Sequence, residues 1–467
     1  MNSAKKLERP MMIVEELARN IVKTSFETFD ASVIEQAKNR LIDIVGCTIG
    51  GANAPGCPEL RDLIEEWGGT GEATILIHGG KVPANNAAML NSIMARSFDY
   101  GVITPYIGEK AVWAHIAETT IPTAITVAEW KRATGKELLT AMILGDDISA
   151  RVSAASTRSI SPGWDTPGTV NKFGSTAIAC KLLGHDEYQI INAWGIVLNQ
   201  LAGSFQTIQD GTHSFKLAQG LAARDGIIAA ELAGKGWTGA KDPLLGKYGY
   251  FALYCQEYDP EFLTRDLGKD FYGDITFKPY PSCRFTHTSI DCALKLVQSY
   301  DIHAEDIAGV TIDVAPMHFD SPLNQPFEPG EFPQGHATFS LRYQVANVLV
   351  RRCVKLEHLT EAQICDPKVG ALAKKITVTG TIPPEDIEAT RVTVQMKDGR
   401  EFSVYEEMAK GNALKKQLSK EEIEEKFRGN VAFSNTVSKN NAELALDMLH
   451  NLEEVDDITK LVKLLVA

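Results

Sequence analysis

Residues 31–51 read ASVIEQAKNRLIDIVGCTIGG. The apolar side chains fall at Val33, Ile34, Ala37, Leu41, Ile42, Ile44 and Val45. Spacings of three and four are the period of a helix and not of a strand. Asp30 stands where an N-cap belongs, and the pair Gly50-Gly51 offers a stop. The same reading extends outward. Helices are predicted over residues 85–98, 119–132, 137–154, 169–183, 187–202 and 218–233. Gly135 and the pair Gly184-His185 act as breaks. The last of these helices, AQGLAARDGIIAAELA, is rich in Ala and Gly. Small side chains of this kind let helix backbones approach closely, so the segments predict a buried multi-helix body.

The pattern changes near Gly268. Residues 310–314 (VTIDV) alternate as a strand does. RVTVQM (391–396) and EFSVY (401–405), joined through Lys397-Asp398-Gly399-Arg400, read as a hairpin with an Asp-Gly turn. Helical periods at 288–300 and 337–351 lie between them, and further helices follow at 419–427, 441–449 and 458–465. The expected fold is mainly α: a large all-helical domain built from both chain ends (1–269 and 406–467), with a smaller inserted α+β lid domain (270–405).

The chain has 467 residues, with 47 Lys and Arg against 60 Asp and Glu, a formal net charge of −13. That balance argues against a nucleic-acid or anionic-membrane partner, both of which need a basic surface. No run of about 20 apolar residues is present. The start, with Lys5, Lys6, Glu8, Arg9 and Pro10, lacks the apolar core of a secretory leader. Eight scattered cysteines form no CxxC pair, so reduced thiols in a cytoplasmic protein are expected and zinc has no sequence support.

Four segments carry residue types suited to chemistry. FKPYPSCRFTHTSID (277–291) places Lys278, Cys283, Arg284 and His287 on a Pro-fixed path before a helix that Thr286 or Thr288 would cap. That setting favours an anion, or else is a crossover whose charges face water. Asp99 ends one helix and His115 opens the next, with Glu118 behind it. They meet across a cleft, or serve as a cap and a surface His. SPGWDTPGTVNKFG (161–174) puts Asp165 where capping is the default role. QDGTHSFKLAQG (209–220) holds His213 and Lys216 three apart at a helix start. No dinucleotide, Walker, HExxH or GxSxG motif occurs.

Taken together, LIDIVGCTIGG, the Asp99–His115–Pro122 region, GWDTPGTVNKFG, KLAQGLAARDG and KPYPSCRFTH resemble the MmgE/PrpD family over nearly the whole chain. That family includes 2-methylcitrate dehydratase, cis-aconitate decarboxylase and iminodisuccinate epimerase. The resemblance implies a helical domain with an α+β lid, a homodimer, and neither metal nor organic cofactor. Asp99 matches the family's Asp in His-Ala-Leu-Asp-Tyr-Asp-Asp, but Arg96 stands at its His, and Gly101 and Val102 replace its two following acids. His115, Pro122, Lys278 and His287 match. Asp165 and Cys283 replace histidines, and Lys216 is one place out of register.

The resemblance further implies proton abstraction from a carbon beside a carboxylate of a small di- or tricarboxylic acid. Loss of hydroxide, loss of carbon dioxide or reprotonation follows. A positively lined crevice is expected, with Lys278, Cys283, Arg284 and His287 binding substrate and Asp99, His115, Asp165 and Lys216 catalytic. His115 is the first choice of base. Asp165 either adds a second base or sets an anion where a substrate carboxylate would sit, which disfavours citrate-like substrates. A dehydratase-type lyase leads; an epimerase or isomerase, or a silent carboxylate-binding homologue, is the alternative.

Overall fold

The computed structural model describes residues 11–156 and 163–467. The reading of the first ten residues and of Ser161 and Pro162 falls outside them. The molecule is mainly α. The predicted helices form as Ala31–Gly50, Ala84–Arg96, Ala117–Lys131, Gly135–Ala155, Asn171–Leu183, Glu187–Val197 and Leu217–Gly234. Their centre is the Leu217–Gly234 helix, packed against Ala84–Arg96 on one side and Asn171–Leu183 on another. Small residues set the spacing, as the sequence implied. A side chain at Gly226 would run into Ser175 Oγ, and one at Gly174 into Ser149 Oγ.

The caps differ from expectation. Asp30 occupies the N-cap of Ala31–Gly50 but makes no capping hydrogen bond. The Gly135–Ala155 helix begins instead with a complete capping box, Thr134 Oγ1 accepting from the Glu137 amide at 3.2 Å and Glu137 Oε2 from the Thr134 amide at 2.7 Å. The helical body is also not purely helical. Two-residue ribbons pair Ala73–Thr74 with Lys81–Val82 and Tyr106–Ile107 with Lys110–Ala111. Such short pairings leave no periodic signal.

Beyond residue 286, one four-stranded sheet forms in the order Ile376–Thr379, Ile307–Asp313, Thr390–Met396, Glu401–Glu406. The first pair is parallel and the others antiparallel. The hairpin turns where the Asp-Gly signal put it, with Gly399 at φ +90°. The edge strand Ile376–Thr379 is absent from the sequence reading because four residues hold too little alternation to register. Helix His287–Ser299 packs on Thr390–Met396 and Glu401–Glu406.

The chain then returns to the helical body. Lys420–Ser434 lies along Ala31–Gly50, close enough that a side chain at Gly46 would meet Phe427 Cα at 3.1 Å. From this helix Lys426 reaches Asp43 at 2.7 Å, and Asp43 accepts from the Val102 amide at 2.7 Å. Lys426 also donates to the Tyr100 carbonyl at 2.5 Å. Both ends of the chain thus fix the loop that follows Asp99. All eight cysteines are free, and no helix of the described residues is long and apolar enough to cross a membrane.

Candidate active site

Helix Ala84–Arg96 ends just before Asp99, whose backbone is left-handed at φ +47°. A non-glycine residue there is held against its preference. What holds it is charge. Arg96 Nη1 donates to Asp99 Oδ1, and Lys278 Nζ donates at 2.8 Å to both Oδ1 and the Asp99 carbonyl. Lys278 is fully buried, and both of these bonds go to Asp99.

His115 precedes the helix Ala117–Lys131. Asp274 Oδ2 accepts from the amides of Ile116 and Ala117 at 2.8 and 2.9 Å, in place of a local cap. Asn171 Nδ2 donates to the His115 carbonyl at 2.6 Å. The imidazole is thereby set over the end of the neighbouring helix. Its Nδ1 lies 2.9 Å from Arg96 Nη1. A guanidinium has only donors, so Nδ1 accepts and the ring proton sits on Nε2. Burial first, and then Arg96, lower the pKa of His115, with Glu118 opposing them. The ring is neutral, with its basic lone pair already occupied.

Arg96 and Glu118 complete the cluster. Glu118 Oε2 is 3.1 Å from Arg96 Nη1 and 3.4 Å from His115 Nδ1. Burial works to raise the pKa of this carboxyl, but the Arg96 guanidinium beside it outweighs burial and holds it below the usual carboxylate range. The space for Glu118 exists because residue 101 is glycine. A side chain there would meet Glu118 Cγ and Oε1 at 2.8 Å and Ile44 Cδ1 at 2.7 Å. The carboxylate beside residue 101 thus belongs to Glu118, on the next helix. Asp99, His115 and Glu118 have the donors of a divalent-metal site, their ligand atoms lying within 4.8 Å of one another. Arg96 Nη1 already stands among all three, so these residues fit a guanidinium and not a metal ion.

Arg96, Asp99, His115 and Asp165 form the polar end of a cavity of ≈ 320 Å³, with Cys283 and Arg284 also on its wall. Asp165 occupies the N-cap of the turn Thr166–Thr169 yet makes no capping hydrogen bond, which corrects the default reading. Burial pushes its carboxyl up to about 6, against the pull of Arg96. Burial likewise raises the Cys283 thiol to about 11, so it stays protonated.

Other expected members stand elsewhere. Lys216 does not line the cavity. It is buried, donating to the Pro55 carbonyl at 2.6 Å and Ser97 Oγ at 3.2 Å. His287 is buried with Nε2 3.2 Å from the Ser282 carbonyl, and burial lowers its pKa far down. Arg284 touches the cavity, but its guanidinium donates to Glu388 Oε2 at 2.9 Å, Lys410 O at 2.7 Å and Ala409 O at 3.2 Å. Neither Thr286 nor Thr288 caps the helix His287–Ser299: a 3-10 turn, Arg284–Thr286, precedes it, and Thr286 Oγ1 donates to Cys283 O at 2.8 Å. Most donors of the expected cationic site are thus spent on internal bonds, with Arg284 Nε left without a partner among the described residues, and the crevice, lined by Asp99 and Asp165 as well as Arg96 and Arg284, is not positively lined.

Sequence reasoning passed over Arg96 and Glu118 as site residues. Their signal was the three-residue spacing to Asp99 and His115 across a helix end, short enough for each pair to meet.

The chain matches the MmgE/PrpD N-terminal domain over residues 15–263 and the MmgE/PrpD C-terminal domain over residues 280–453. It is 26% identical to the cis-aconitate decarboxylase of Homo sapiens, over 82% of this chain and 80% of that protein. It is 24% identical to the cis-aconitate decarboxylase of Aspergillus terreus, over 93% and 92%. With the 2-methylcitrate dehydratase of Cupriavidus necator it shares 23% identity, over 88% of each.

Proposed function

This chain belongs to the MmgE/PrpD family, and from that premise we propose that it is a lyase acting on a carboxylic acid, with Asp165 as its proton-transfer group. The relatives named as decarboxylases and a dehydratase support the reaction class. The observation that carries the assignment is Asp165 itself. It lies on the cavity wall beside the Arg96 cluster, uncommitted to a cap, with burial holding its pKa at about 6. A base is most useful when its pKa lies near the working pH. His115 suits a different part, because Arg96 occupies its Nδ1 and its Nε2 carries a proton.

In the reaction, the Asp165 carboxylate takes the proton from the carbon beside the substrate carboxylate. The electron pair of the broken C–H bond is delocalised into the carboxylate as an enediolate. Arg96 and the His115 Nε2–H stabilise that charge as donors, a neutral imidazole acting as electrophile without giving up its proton. The pair then forms the C=C bond as hydroxide leaves the next carbon. The proton on Asp165 passes to that hydroxide, giving water and restoring the carboxylate. The helical body and the sheet-bearing segment 270–405, acting as a lid over this cavity in a homodimer, complete the proposal.

The test is exchange in deuterated water. The wild type incorporates deuterium at the carbon beside the carboxylate, and Asp165→Asn loses this by about 10²–10⁴-fold while its circular dichroism is unchanged. Exchange that persists in a folded Asp165→Asn protein removes Asp165 from the role.

A further inference from the structure

Resting on that reading, we infer that the substrate is an acid with a single carboxylate and an extended apolar body, and not a tricarboxylate. Two independent observations carry this. The first is the count of charges. The cations lining the cavity are Arg96 and Arg284, with Lys278 buried behind Asp99. Asp99 and Asp165 line it with them, Glu118 and Glu388 stand behind, and each cation is already within 3.1 Å of at least one of Asp99, Glu118 and Glu388. A tricarboxylate would bring three negative charges to a place where, among the described residues, two carboxylates stand against two cations that are already paired. Its desolvation would go uncompensated.

What remains unengaged at the polar end is small. Arg96 Nε, Arg284 Nε and Thr104 Oγ1 are buried, belong to residues lining the cavity, and have no hydrogen-bond partner among the described residues. Buried polar atoms without partners ask for a ligand. Three donors of this kind suit one carboxylate and not three.

The second observation is the rest of the wall. Away from the polar end the cavity is formed by Trp113, Phe205, Phe285, Met317, Leu323 and Phe339. A chamber of ≈ 440 Å³ adjoins it, sharing Trp113, Phe205, Phe285 and Met317, and among the described residues Lys110 is its single charged neighbour. A polycarboxylate has nothing to place against such walls, whereas an alkyl or aryl body fills them and gains by leaving water.

The probes are butanoate, hexanoate, octanoate and 4-phenylbutanoate against citrate and cis-aconitate, with dissociation constants measured by calorimetry on the full-length protein. Affinity is expected to rise about fourfold for each methylene added, with octanoate and 4-phenylbutanoate at least tenfold tighter than either tricarboxylate. Met317→Asp, at a half-exposed side chain, is expected to flatten the chain-length series. Tighter binding of citrate or cis-aconitate, a flat series in the wild type, or an unchanged series in Met317→Asp would overturn the inference. Deuterium exchange followed on the matching 3-hydroxy acids separates this outcome from the fate of the lyase reading. Exchange confined to tricarboxylates leaves the lyase and ends the apolar substrate. Tight apolar binding without Asp165-dependent exchange does the reverse.

Discussion

Replacing Asp165 by Asn keeps the shape of the side chain and removes its capacity to hold a proton. Burial holds the folded-state pKa up from an ordinary 3.8 to about 6, so the folded protein binds that proton more tightly than the unfolded chain does. The stability associated with the neutral carboxyl is complete below pH 3.8 and is lost as the pH rises through 6. By pH 8 the ionised, buried Asp165 costs about 3 kcal/mol relative to a neutral isostere, and at pH 4 less than about 1 kcal/mol. An unfolding entropy of roughly 2.1 cal/mol/K per residue gives about 1 kcal/mol/K for a chain of this length. Asp165→Asn is therefore expected to raise Tm by about 3 °C at pH 8 and by less than about 1 °C at pH 4, while abolishing turnover at both. Scanning calorimetry of the two proteins across this range reads the difference directly. A gain that is the same at both pH values, or a loss at pH 8, would mean that no buried proton-binding carboxyl stands at residue 165.

The wild-type rate should fall about tenfold per pH unit below about 6, because only ionised Asp165 can take a proton, and a profile flat from pH 7 to 5 would contradict that. Arg96→Lys retains one charge but cannot reach Asp99, His115 and Glu118 together, so a loss of about 10²-fold or more in kcat is expected from steady-state kinetics at a Tm close to wild type. Arg284→Ala is expected to lower stability in urea by about 3 kcal/mol, as when one partner of a buried pair is removed, and to leave KM within about twofold; a large rise in KM at unchanged stability would restore the anion site that the geometry argues against. Lys216→Met, placed away from the cavity, should leave kcat within about twofold, which a single turnover assay checks.

The helical body was legible because its signals are long and periodic. Leu41 to Val45 and the Ala/Gly run after Leu217 repeat over several turns, and packing reinforces what the period implies. The Asp398-Gly399 turn was legible for a different reason, a residue pair that one turn type demands. The ribbons and the strand Ile376–Thr379 are too short to carry either kind of signal. The site followed the same division. Asp99, His115 and Asp165 could be named from position, since helix ends and loops face clefts. Which atom of His115 is basic could not, because that depends on Arg96 arriving from another helix. Arg284 and Lys278 read as substrate cations in sequence, where Glu388 and Asp99 are 104 and 179 residues away. Pairing of charges is decided in space, and the sequence distance hides it.

Gly101 and Glu118 also constrain the order in which this site can change. With Glu118 Cγ and Ile44 Cδ1 occupying the volume a Cβ would need, an acid introduced at 101 alone meets a filled space and a like charge. Glu118 must shorten first. Exchanging one arrangement for the other therefore requires both Glu118 and Ile44 to give way, and Arg96, paired with both Asp99 and Glu118 at present, is the residue whose partners would change.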